Sequence, residues 1–290
     1  MADKYEGAMF SRPKVFTLDE YSEMFKEWFA IRREDGIIEV RMQTNGGTAQ
    51  WLYGMHQAWG KLPKMIAQDL ENQVLIFTGT GDKWLTFPQT SGTDYGTDFL
   101  TKIDPREFCK RTYDDWYMDG ARALKAFLFD LQIPTIAAIN GPSDLGHYEC
   151  ALACDVTFCT PDTTIGDSHF RCNLSPGDGQ YLAIRHCIGE KRCNLMVYEN
   201  KKIDAETALA WGMVNEIVPR EKLMDRAWDC AHTIMKQSYH VRRLTHQTVT
   251  DMWRRDVCED LDRQYAFQGW AAGTVSPDQG LQGARDQANE

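Results

Sequence analysis

The chain has 290 residues, 43% of them apolar, enough for a sizeable core in one large domain or a domain with an appendage. A formal net charge of −10 argues against nucleic acid or an anionic membrane surface as the main partner, because both reward a basic face. No apolar run reaches the roughly 18 residues of a membrane span, and the opening MADKYEGAMFSRPK lacks the apolar stretch of a secretory signal, so a cytoplasmic location is expected.

Thr17 to Phe29 predicts an amphipathic helix opened by a Thr17/Glu20 capping box. Asp35-Gly36 then predicts a hairpin turn, followed by alternation of Ile38, Val40 and Met42 with Glu39, Arg41 and Gln43. Trp51 to Asp69 reads as a helix carrying His56, with a kink or break at Pro63. Val74 to Phe77 is a short buried strand, followed by a long aromatic loop that is either a wall of a site or mobile. A long helix is expected from Pro105 to Leu131 and a strand from Thr135 to Ile139. Helices follow near Gly179 to Cys187, Lys191 to Val197 and Asp204 to Trp211, then a last strand at Val214 to Val218. Alternating strands and helices predict an α/β core with crossover connections over 1–219, and the helical patterns beyond Pro219 predict an all-helical part over 220–290. The nine cysteines lack framework spacing, and Cys150 and Cys154 lie one helical turn apart, as buried free thiols would.

Between Ile133 and Asp178 a strand, a Gly-containing turn, a short helix, a second strand and a Pro-Gly-Asp-Gly turn bring His147, Glu149, Asp155, His169 and Asp178 toward one cleft. Asp155, at the end of ALACD, reads as structural. GxSxG, GxGxxG, the P-loop and paired CxxC are absent, which removes the commonest serine-hydrolase, dinucleotide, NTPase and zinc readings. His186, His232, His240 and His246 show no metal spacing.

IPTIAAINGP, a following Glu, ALACD, a Pro-Gly-x-Gly turn and AETALAWGMVNEIVP together resemble the crotonase (enoyl-CoA hydratase/isomerase) superfamily from about Ile31 to Val218. The resemblance implies a spiral of ββα units with a C-terminal helical region that assembles trimers or hexamers. The catalytic motifs depart from a hydratase. His147 replaces the third glycine before Glu149, His169 stands where the second catalytic Glu is expected, and the first oxyanion loop reads LTFPQ, whose Pro88 cannot donate an N–H. These departures are similar to the β-diketone hydrolase branch typified by 6-oxocamphor hydrolase, through GDSHF, SPGDG, His147-x-Glu149 and the Trp51/His56 pair. Gln268 stands where that branch has a functional Glu.

The resemblance implies a cofactor-independent hydrolase that opens a β-diketone, a small and bulky apolar substrate, to a keto acid. His169 would be the base that activates water, with Asp178 accepting the other ring N–H and fixing the tautomer. His147, expected in the first turn of a helix and therefore neutral, would donate to the developing enolate beside the Gly146 N–H. Trp51 would hold the second ketone oxygen, His56 would line the same pocket, and Trp84 and Phe87 would meet the apolar body of the substrate. The residue pattern alone also accommodates blander roles: Asp178 making only its own turn, His169 as a satisfied core residue, Glu149 as a helix-start residue, and Trp51 and His56 as core. Two rival classes remain. One is an acyl-CoA hydratase, isomerase or thioesterase using Glu149, with Arg242-Arg243 or Lys191-Arg192 available to a CoA phosphate. The other is a catalytically silent binding module.

Overall fold

The Thr17 capping box forms, with the Glu20 carboxylate accepting the Thr17 N–H at 2.9 Å and the Thr17 hydroxyl accepting the Glu20 N–H. In the computed structural model, which describes residues 15–86 and 122–274 together with positions 113, 117, 118 and 120, the helix so capped (α1, Leu18–Met24) is shorter than predicted. Phe29 opens strand β1 (Phe29–Glu34) instead, because its ring packs edge-on against Phe25 and Trp59 in the core. Asp35 and Gly36, with φ of 47° and 84°, make the tight turn into β2 (Ile37–Met42) that the Asp-Gly pair predicts.

Helix α2 (Tyr53–Gln68) runs through Pro63, which neither ends nor divides it. Trp59, Leu62 and Ile66, all buried, hold both halves of that helix against the sheet, so packing outweighs the one hydrogen bond a proline forfeits. Strand β3 (Val74–Thr78) follows, then α3 (Arg122–Lys125), which widens into a π-helical turn at Ala126–Asp130. These last residues lie within the predicted helix Pro105–Leu131, whose beginning falls outside the described residues. Next come β4 (Thr135–Ile139), a one-turn α4 (Glu149–Leu152), β5 (Val156–Cys159) and β6 (Thr164–Ile165). The remaining elements are α5 (Gln180–Ile188), α6 (Glu190–Tyr198), β7 (Ile203–Asp204), α7 (Ala205–Trp211) and β8 (Glu216–Ile217). The chain then continues as α8 (Arg220–Met235), α9 (Tyr239–Val249), α10 (Asp251–Asp256) and α11 (Asp262–Ala272).

The main sheet has the order β1-β2-β3-β4-β5-β8, antiparallel only between β1 and β2 and parallel beyond, while β6 and β7 pair separately. β3 and β4 are buried at every position, as parallel strands covered on both faces must be. One face carries Ile38, Val40, Leu75, Phe77, Ala137 and Ile139 against α2 and α3. On the other, Leu223, Ala227 and Ala231 of α8 pack on Ile37, Val74, Ile76, Ile136, Ala138 and Phe158. Asp155 is structural here: it accepts the Thr135 N–H at 2.8 Å and lies 2.8 Å from His246 Nδ1, fastening the start of β4 to α9. Among the described residues no helix is long and apolar enough to cross a membrane.

Candidate active site

Beyond the carboxyl end of β4 the chain turns through Asn140-Gly141 and reaches Gly146 and His147, both in the left-handed region with φ of 83° and 52°. A Cβ on Gly146 would stand 2.3 Å from Gln180 Oε1, so only glycine fits. His147 therefore does not lie in the first turn of a helix, as expected. It precedes α4, which Tyr148 caps, and its backbone is held from both sides. The His147 N–H donates to Gln180 Oε1 at 2.9 Å, and its carbonyl accepts the Trp84 indole N–H at 2.9 Å. That second bond corrects the expectation for Trp84. The indole is 0% exposed, packed between Phe77 and Tyr148, so it lies beneath His147 as an anchor and not on an open wall.

The Pro-Gly turn delivers Asp178 as predicted, and Gly179, with φ of 102°, turns the chain into α5. Asp178 Oδ2 lies 3.2 Å from His169 Nε2 and 3.5 Å from His147 Nδ1, so one carboxylate stands between two imidazoles. Its Oδ1 accepts the Gln180 N–H at 3.2 Å. On the other side of His169, Nδ1 lies 3.0 Å from Asp167 Oδ1, which also accepts the His169 backbone N–H at 2.7 Å. Glu149 Oε1 is 3.6 Å from His147 Nδ1, and all five of these ionisable groups are buried.

The charges follow from that alternation. Burial disfavours the imidazolium of His169, yet Asp178 and Asp167 override it and hold the pKa well above its ordinary 6.5. Burial would raise Asp178, but His169 and then His147 hold it well below the usual carboxylate range. His147 is likewise raised, because Glu149 and Asp178 outweigh its burial and the nearby His169, a shift opposite in direction to the one expected from a helix dipole. His56 goes the other way: burial, reinforced by His147, lowers it to about 4 and keeps it neutral.

Trp51 stacks on the His147 ring with centroids 4.0 Å apart and 21° between planes, and meets His56 edge-on at 5.3 Å. Nδ1 of His56 has no hydrogen-bond partner among the described residues. Gln268, buried on α11, faces the Asp178 turn: a Cβ on Gly177 would fall 2.6 Å from its Cβ, and its Oε1 has no partner among the described residues. The fold thus gathers His169, Asp178, His147, Gly146, Glu149, Trp51 and His56, with Gln268 behind the turn, and sets Trp84 below. Phe87 and Pro88 lie outside the described residues. Sequence reasoning missed Asp167 and Gln180. The first had a signal, since an Asp two residues before His169 in GDSHF can fold back on the His169 N–H. The second had none, because its partners come from a turn 33 residues away.

The enoyl-CoA hydratase/isomerase family model matches residues 64–268. A β-diketone hydrolase from the cyanobacterium Anabaena sp. PCC 7120, solved with (S)-3-oxocyclohexyl acetic acid bound, is 30% identical and superposes with a TM-score of 0.78 over 88% of this chain and 97% of its own. An enoyl-CoA hydratase/isomerase from Mycobacterium paratuberculosis shares the fold, with a TM-score of 0.75 at 17% identity over 90% of this chain and 98% of its own. The curated carnitinyl-CoA dehydratase of Salmonella enteritidis is 27% identical over 211 residues, 72% of this chain and 74% of its own length.

Proposed function

The chain belongs to the enoyl-CoA hydratase/isomerase (crotonase) family, and within it we propose a cofactor-independent hydrolase that cleaves the carbon–carbon bond between two ketone groups of a small, cyclic β-diketone. The observation that carries this reading is His169 held between two buried carboxylates, with the Trp51-stacked His147 ring across Asp178 from it. The similarity to the Anabaena β-diketone hydrolase supports it.

In this reaction neutral His169 takes a proton from water as the water oxygen bonds to one carbonyl carbon, leaving a tetrahedral alkoxide. The alkoxide re-forms a carbonyl, the carbon–carbon bond breaks, and its electron pair becomes an enolate on the second ketone. His147, held toward its cationic form by Glu149 and Asp178, supplies positive charge to the enolate oxygen, and the Trp51 and Gly146 N–H groups are further donors. The proton held by His169 returns to the enolate carbon, so one diketone and one water give one keto acid. His56, kept neutral by burial and the neighbouring His147, and Gln268 complete the wall that orients the substrate. Glu149, the base in a hydratase reading, faces His147 here and tunes its charge. The same proposal places the protein in the cytoplasm as a trimer or hexamer, with exposed Leu244, Met252 and Trp270 among the apolar residues a neighbouring copy would cover.

The test is a panel of monocyclic and bicyclic 1,3-diketones, followed by loss of enol absorbance with the acid confirmed by mass spectrometry, beside a panel of enoyl-CoA and acyl-CoA thioesters. Turnover of free diketones is expected. Turnover confined to thioesters would overturn the reading and return Glu149 to the centre of the chemistry.

A further inference from the structure

A histidine base flanked by one carboxylate has an obvious division of labour: the carboxylate grips one ring nitrogen and the other nitrogen reacts. His169 is flanked by two, so the structure must say which carboxylate does which task. The two differ in their other contacts. Asp167 Oδ1 receives both the backbone N–H of His169, at 2.7 Å, and ring Nδ1, at 3.0 Å. Its side chain is 1% exposed. Its second oxygen, Oδ2, is buried with no hydrogen-bond partner among the described residues. Asp178 is placed otherwise. It approaches Nε2 at 3.2 Å, but the same oxygen also lies 3.5 Å from His147 Nδ1, at the junction between the two imidazoles.

We propose that Asp167 is the positioning residue of His169: it holds the ring by Nδ1 and presents Nε2 as the reacting nitrogen, leaving Asp178 on the reacting side between His169 and His147. This rests on the reading of His169 as the base and reverses the part assigned to Asp178 in the sequence. The double contact to Asp167 closes on a single residue, so it fixes the ring relative to its own backbone. That backbone is fixed in turn, because the His169 carbonyl accepts the N–H groups of Cys172 and Leu174 at 2.9 and 2.8 Å. The Ser168 hydroxyl donates to the Leu145 carbonyl at 2.8 Å, which ties the segment to the turn that carries His147. The water that His169 activates then occupies the side shared by Nε2, Asp178 and His147, where both the proton and the growing negative charge have partners.

The charge of His169 is set by Asp178 from the turn before α5 and Asp167 on its own segment, with His147 from the turn after β4 and the Cys172 thiol as its other titratable neighbours. Asp167→Asn separates positioning from a merely structural part. An amide oxygen still accepts the backbone N–H and keeps the turn, while the charge opposite Nδ1 disappears. The experiment follows deuterium uptake at the imidazole C2 position of each histidine by mass spectrometry on the full-length protein, as a function of pH and with no substrate present. Asp167→Asn is expected to lower the midpoint of His169 by at least about one pH unit, tenfold in proton affinity, and Asp167→Glu is expected to recover part of that shift. The ascending limb of kcat/KM on an active diketone, where His169 loses its proton, should move to lower pH with it. A His169 midpoint unchanged in Asp167→Asn would overturn the proposal and leave Asp167 as a turn former. Because the titration needs no substrate, it reads out equally well if the diketone panel fails.

Discussion

Asp178→Asn is the change to which the site should be most sensitive. In the folded protein Asp178 Oδ2 lies 3.2 Å from His169 Nε2 and 3.5 Å from His147 Nδ1. At the shorter distance the gross Coulomb attraction to an imidazolium is about 5 kcal/mol for an effective dielectric of about 20, before the cost of burying both charges is set against it. Asn keeps the size of the side chain and can still accept the Gln180 N–H through Oδ1, so the α5 start and the fold should survive. Its NH2 group, however, faces Nε2 as a donor. His169 then rests neutral with its Nδ1 proton directed to Asp167 and its Nε2 lone pair occupied by the amide, which removes the free base. His147 loses one of the two anions that raise its pKa. A loss of at least about 100-fold in kcat/KM is expected from the base alone. The assay is initial-rate loss of enol absorbance across substrate concentration, with far-ultraviolet circular dichroism as the control for folding. A folded Asp178→Asn protein within tenfold (about 1.4 kcal/mol) of the wild-type kcat/KM would refute the placement of Asp178 in the chemistry.

Four further outcomes follow from the contacts around the site. Since His169 must lose a proton to act and its pKa is raised, kcat/KM should climb with pH through a limb above 6.5; a limb at or below that value would remove His169 as the base. Stability carries the matching sign. The His169 ion pairs stabilise fully below the unfolded value of 6.5 and are lost as pH rises through the folded value, so His169→Gln should flatten an alkaline decline in melting temperature. For His56 the folded value of about 4 lies below the unfolded 6.5, so stability is lost as pH falls between them, by about 3 kcal/mol in all. His56→Phe should remove that loss in denaturant midpoints compared at pH 7 and pH 4.5, and an unchanged acid slope would show that His56 is not buried neutral. Trp84→Phe should orphan the His147 carbonyl and destabilise by about 2–4 kcal/mol, the sum of an unpaired buried acceptor and a small cavity. It should also lower kcat about tenfold because the left-handed His147 backbone loses one of its two holds. Wild-type values of both urea-unfolding free energy and kcat would show that the bond is idle.

Much of the fold was legible in the sequence because it is written in short-range physics. The capping box at Thr17, the Asp35-Gly36 turn, the apolar runs of β3 and β4 and the Pro-Gly turn before Asp178 each depend on residues within a few positions of one another. The motifs around His147, His169 and Asp178 also pointed to one cleft, and the fold brings those three together. What the sequence could not decide depends on packing and on charge from distant segments. The sequence predicts a kink or a break at Pro63, and only the burial of Trp59, Leu62 and Ile66 against the sheet explains why α2 continues through it. Trp84 was read as a wall of the pocket, and only the position of the His147 carbonyl, 63 residues further on, makes it an anchor. His147 was expected on a helix start whose dipole would lower its pKa, and the carboxylates of Glu149 and Asp178 raise it instead. An imidazole's partners and protonation are set by which acids three-dimensional folding brings within about 4 Å, and at that range Coulomb terms exceed any local preference. Linear order placed Asp167 and Asp178 near His169; only the tertiary structure set His147 on the far side of the Asp178 carboxylate.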